Sequence, residues 1–182
     1  MKNSINRRTK KKWMGLQLLP LSALVFSLIM TACSSIDCPV KNTVYTVYNL
    51  LKADGTQDTL KYDTLTITSL RADGTDTTLL NKFCGSSALT FDLPVSYSHP
   101  EDTLFFELND TLGNSYNDTV FVKKDSYPHF ESVDCQAAFF HQLTAVRSTH
   151  HAIDSIVINH SSVTYDASTP HFYLYIKSEA NR

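Results

Sequence analysis

Tyr62–Leu70 alternates strictly, with Leu65 and Ile67 on one side and Thr64, Thr66 and Thr68 on the other. A period of two puts successive side chains on opposite faces of an extended chain, so this segment predicts a half-buried β-strand. Similar short runs recur. Thr43–Leu51 is rich in Val, Tyr, Thr and Leu. Ala88–Val95 sets Leu89, Phe91, Leu93 and Val95 on one face, with Pro94 marking an edge or an end. Asp102–Asn109 groups Leu104, Phe106 and Leu108, and Asp118–Lys124 carries Val120, Phe121 and Val122. Phe130–Cys135 and Ala138–Val146 follow; the Ala, Gln and Leu content of the second also suits a short helix. Ile153–Asn159, extended by Val163–Tyr165, and Phe172–Lys177 complete the series. Short strands separated by turn residues predict an all-β, antiparallel β-sandwich, immunoglobulin-like or related. The one Trp is Trp13, so no core Trp supports a true immunoglobulin domain.

The turns carry a local repeat. Leu51-Lys52-Ala53-Asp54-Gly55-Thr56 and Leu70-Arg71-Ala72-Asp73-Gly74-Thr75 differ only by Lys for Arg. Asp-Gly between apolar runs is a strong hairpin signal, so the two copies predict a β-meander. Leu112-Gly113-Asn114 marks a further turn.

The N-terminus has another character. Lys2, Arg7, Arg8, Lys10, Lys11 and Lys12 precede the uncharged run Trp13–Ala32, and no acid lies among residues 1–12. A retained transmembrane helix would suit the length of that run. Pro20, Gly15, Gln17, Ser22 and Ser27 weaken it, and the run ends on Thr31-Ala32-Cys33 with no basic stop-transfer flank. Met30-Thr31-Ala32-Cys33 resembles the lipobox of bacterial lipoproteins, with Met30 in place of the commoner Leu. The resemblance implies a signal peptide over 1–32, cleavage before Cys33, and acylation of the Cys33 thiol by palmitate-type chains. Residues 33–42 are then a lipidated tether and 43–178 the β-sandwich domain. Arg7-Arg8 lacks the close apolar pair of a twin-arginine signal, so the general secretory route is expected.

Processing changes the charge. All 18 acids and 10 of the 16 bases follow residue 32, so the processed chain carries −8 where the whole chain carries −2. No basic patch appears, which argues against nucleic acid as a partner. Acylation of Cys33 leaves Cys38, Cys84 and Cys135 in an oxidising compartment. A Cys38–Cys135 bridge is expected, because it ties the anchored N-terminus onto the domain. Cys84 is then a buried or a reactive free thiol.

Asp followed by Thr or Ser and then by an aliphatic residue or Thr recurs along the chain. It punctuates strands, with Asp ending a turn and Thr opening the next strand. It is also similar to the O-glycosylation acceptor motif of envelope proteins in Bacteroidetes, which implies Thr59, Thr64, Thr103, Thr111, Thr119 and Ser155 as acceptors. No cofactor is expected, and no metal site, since Asp54, Asp58, Asp73 and Asp76 lack calcium-loop spacing. The seven His read as surface or turn residues. Gly85-Ser86-Ser87-Ala88 lacks the glycines of a nucleophile elbow. Tyr45, Tyr48, Tyr97, Tyr116, Tyr173 and Tyr175 are ordinary strand residues or, if exposed, a glycan- or protein-binding face.

Pro128-His129-Phe130-Glu131-Ser132-Val133-Asp134-Cys135, followed by Ala152-Ile153-Asp154-Ser155-Ile156-Val157-Ile158, resembles a family of uncharacterised single-domain lipoproteins of Bacteroidetes. Cys84 is an addition to that plan. The resemblance implies an envelope location and a β-rich domain, with no activity to transfer. The expected function is therefore a lipid-anchored, non-catalytic β-sandwich that binds or supports an envelope partner. The membrane would be the outer one, with the domain facing the periplasm. The alternatives are a carbohydrate-binding accessory lipoprotein and a thiol-dependent hydrolase using Cys84.

Overall fold

The computed structural model describes Cys38 and residues 43–71, 73–84 and 89–177. The segments expected as a signal peptide (1–32) and as a lipidated tether (33–42), Cys33 included, lie outside these residues, Cys38 excepted. The described strands are β1 (Tyr45–Leu50), β2 (Thr64–Leu70), β3 (Asp76–Phe83), β4 (Thr90–Pro94), β5 (Glu101–Asn109), β6 (Ser115–His129), β7 (Ala138–Ser148), β8 (Ile153–Ile158), β9 (Ser162–Val163) and β10 (Phe172–Ile176). They form two sheets, ordered β4-β1-β10-β8 and β3-β2-β5-β6-β7-β9. The fold is the expected β-sandwich. One pairing departs from the antiparallel expectation: β1 and β10 run parallel, with Tyr48 opposite Phe172. Pro94 ends β4, which is an edge strand, so no ladder partner loses an N–H.

The core lies between the sheets. Tyr48 faces Phe91 across β4 and Phe172 across β10, and its ring stacks on both, at 5.0 and 4.7 Å. Phe106 of the six-stranded sheet meets Tyr48 edge-on at 6.4 Å. Offset and edge-on aromatic pairs add to burial roughly 0.5–1.5 kcal/mol each. With the only Trp in the N-terminal segment, this Tyr-Phe cluster fills the centre of the sandwich.

Several expectations need correction. The two Asp-Gly turns are structural copies. In each, Thr56 or Thr75 donates its N–H and hydroxyl to Asp54 or Asp73, at 2.9 and 2.6 Å. Gly55 and Gly74 sit at φ +80° and +79°, where a side chain would be strained. The second turn joins β2 to β3 as a hairpin, whereas the first does not join β1 to β2, which lie in different sheets. Turn chemistry closes the chain locally, but the burial of each strand decides which sheet it enters. The meander expectation therefore fails at its first turn.

β3 has no counterpart in the sequence pattern, because Thr77-Thr78-Leu79-Leu80 does not alternate; it is an irregular edge strand with two register shifts. Residues 130–135, which the sequence reads as a strand, form a loop after His129, closed by the Cys135 N–H on Ser132 O at 3.2 Å. Residues 138–146 are strand, not helix, and continue to Ser148. Ser162–Val163 does not extend β8 but crosses to pair with β7. Two histidines are interior rather than surface residues: His141 and His171 are both buried.

Candidate functional site

The β4–β5 connection, residues 95–100, is the best candidate region. Strict alternation in β6 places Asp118, Val120, Val122 and Lys124 on its inner face. An ammonium is thereby carried inside the sandwich. The Lys124 side chain has 0% exposure, and its Nζ donates to Asp102 Oδ1 at 2.7 Å and to His99 O at 3.1 Å. The Lys124 N–H donates to Pro100 O at 2.9 Å. Lys124 thus fixes the β5 end of the connection through both its backbone and its side chain. Burial raises the Asp102 carboxyl above its usual range, against the pull of Lys124.

His141 on β7 faces the same interior. Its Nδ1 lies 2.9 Å from Ser126 Oγ. Burial first, and then the Lys124 charge, push its pKa down to about 4. A Ser beside a His suggests nucleophilic chemistry, but a general base must become imidazolium as it takes the proton. The neighbouring Lys124 cation opposes that step. The pair is a hydrogen bond that satisfies a buried imidazole nitrogen.

Two clefts flank the connection. One, of about 300 Å³, is lined by Leu70, Leu79, Val95, Asp102 and Leu104, with Arg71 and His99 among its polar groups. The other, of about 370 Å³, includes Val44, Tyr97, Gln136, Phe139 and His141. Tyr97 is 66% exposed and its ring stacks on Phe139 at 4.7 Å.

A second polar centre is structural. Asp118, buried at the start of the inner face of β6, accepts four hydrogen bonds. Oδ1 takes Thr149 Oγ1 at 2.6 Å and the His151 N–H at 2.8 Å. Oδ2 takes the Ala152 and Ile153 N–H groups, both at 2.7 Å. These groups belong to the passage from β7 to β8, where the chain changes sheets. The hydrogen bonds outweigh burial and hold the Asp118 carboxyl below the usual range. At His171, Nδ1 accepts the Val47 N–H at 3.0 Å while the His171 N–H donates to Val47 O at 2.9 Å, which continues the β1–β10 ladder through a side chain.

The expected site residues do not converge. Cys33 lies outside the described residues. Cys38 and Cys135 form the expected disulfide, with Cα atoms 5.5 Å apart. Cys84 is a free thiol and exposed, hydrogen-bonded to Lys82 O at 3.4 Å. Thr59, Thr64, Thr103, Thr119 and Ser155 are half-buried and spread over both sheets and a loop, whereas Thr111 is exposed in the β5–β6 turn. The tyrosines do not share a face: Tyr48 is core and Tyr97 sits on the β4–β5 connection. Among the described residues no group of His, Cys, Asp and Glu could hold a metal ion. Lys124 and Asp118 are interior charges absent from the sequence expectations, although their alternation with Val120 and Val122 signals them.

Fold and polar centres together define a disulfide-linked β-sandwich with an interior ion pair beneath its β4–β5 connection. The chain belongs to a family of unknown function, DUF6452, whose model matches residues 64–176. That match runs from the first residue of β2 to the last of β10 and omits β1. Neither a curated protein nor a solved structure shows significant similarity to the chain.

Proposed function

We propose that this is a lipid-anchored cell-envelope protein, held at the periplasmic side of the outer membrane, whose non-catalytic β-sandwich binds an envelope partner. The observation that carries this reading is the Cys38–Cys135 disulfide. It ties to the fold a residue five positions beyond Cys33, the residue that the basic start, the apolar run and Thr31-Ala32 mark for acylation. Two or more acyl chains anchor a protein stably where one does not. A bridge so close to the acylated residue suits a domain that works at the membrane surface. The partner would sit over the clefts beside residues 95–100. Crosslinking in native membranes from Ser96 and Ser98 tests this, with a reproducible partner expected and its absence counting against the reading.

Tyr97 favours glycan as a second class of partner, because a braced, exposed ring suits the apolar face of a sugar. A glycan array with the chain from Ser34 onward tests it. Of the glycan acceptors, Thr111 is the most accessible, and mass spectrometry of the native protein would find the added hexose there. The thiol-hydrolase reading needs a base beside exposed Cys84; loss of a hydrolytic activity on alkylation would be its signature.

A further inference from the structure

The loop between β6 and β7 carries exposed apolar groups beside the disulfide. Val133 is 95% exposed and Phe130 61%, and both lie within five residues of Cys135. The outer face of the adjoining strand ends continues the surface. His129 stacks on Phe140 at 4.2 Å, and Tyr127 and Tyr165 meet Phe140 edge-on at 6.3 and 5.1 Å. Between Ser126 and Val146 the chain holds no Lys or Arg and two acids, Glu131 and Asp134. A cluster of Phe, Val, Tyr and His without Lys or Arg suits the boundary between headgroups and acyl chains, where amphipathic rings settle. It does not suit electrostatic attachment.

Reach says what covers this surface. Five peptide steps separate Cys33 from Cys38, roughly 18 Å at full extension. The disulfide then fixes Cys38 to the base of this loop. We infer that the loop 130–135, with Phe130 and Val133 foremost, inserts into the bilayer that holds the acyl chains, so that this end of the sandwich faces the membrane. The inference rests on acylation of Cys33 under the proposed function. The β5–β6 turn, at the far end of the 15-residue β6, then points away, roughly 45 Å off along the strand.

The processed chain would contain no Trp, so single Trp substitutions report position directly. The acylated full-length product, purified from membranes as Val133→Trp, Phe130→Trp and Leu112→Trp, is reconstituted in phosphatidylethanolamine–phosphatidylglycerol vesicles with and without doxyl-labelled lipid. Leu112, 85% exposed in the β5–β6 turn, is the control. The expected result is a blue shift and lipid-dependent quenching at positions 133 and 130, insensitive to salt, and neither at 112. Co-flotation with equal quenching at all three positions would overturn the inference and leave the anchor intact. A blue shift without quenching would mean cover by protein, such as a second copy, and would overturn it too. Failure of the purified product to float would remove the anchor reading and this inference with it.

Discussion

Lys124 Nζ and Asp102 Oδ1 lie 2.7 Å apart inside the sandwich, joining β6 to β5 beneath a loop that no other buried charge supports among the described residues. Removing one partner leaves the other uncompensated. Lys124→Met should cost about 3–5 kcal/mol, and Lys124→Met with Asp102→Leu much less than the sum of the single changes. Urea unfolding of the soluble chain from Ser34 checks both. Additive costs would show that the pair does not act as a unit.

Asp118 should be the most sensitive acid. Asp118→Asn keeps the size but places an amide N–H against backbone donors, at a cost of about 2–3 kcal/mol. The folded carboxyl sits below its unfolded value of 3.8, so its contribution is present above that pH and is lost as pH falls through the folded value. Acid unfolding followed by circular dichroism should therefore show a shallower acid limb in Asp118→Asn than in the wild type.

His141 gives a separate pH signature. Its folded pKa of about 4 lies below the unfolded 6.5, so the unfolded chain takes the proton first as pH falls. Stability should decline from pH 6.5 to about 4, by up to about 3 kcal/mol from this group. His171, also lowered chiefly by burial, acts in the same direction, because protonated Nδ1 could not accept the Val47 N–H. The slope of urea midpoint against pH should be smaller in His141→Leu than in the wild type.

β1 is one of the two inner strands of the four-stranded sheet, flanked by β4 and β10, yet it lies outside the residues that match the family model. A chain beginning at Asp63 would lack Tyr48 and the Phe91–Tyr48–Phe172 stack. It should fail to show a cooperative thermal transition, whereas a chain beginning at Ser34 should show one. Cooperative unfolding of the shorter chain would mean that β4 and β10 can pair without β1.

Much of the sandwich was legible because half-buried strands alternate: β2, β4, β5 and β10 follow their apolar faces closely. β3 was not legible, since an edge strand needs no apolar face and Thr77–Leu80 shows no period. The sheet to which β1 and β9 belong was hidden as well. Partner choice depends on contacts distant in sequence, and two nearly identical Asp-Gly turns, each closing the chain on itself, give no sign that only the second joins two strands of one sheet. The interior charges follow the same pattern in reverse. Lys124 alternates with Val120 and Val122, but its acceptors, Asp102 and the carbonyl of His99, come from a separate part of the chain. Cys38–Cys135 was legible from the logic of tethering, which needed no fold at all.

The central claim is the lipid at Cys33. Metabolic labelling with radioactive palmitate, comparing wild-type protein with Cys33→Ala in cells, tests it most directly. Label should appear on the wild-type protein, which migrates at the size of a chain cut before Cys33, and be lost in Cys33→Ala. Equal labelling of both, or of neither, would contradict the anchor and with it the placing of the domain at the membrane.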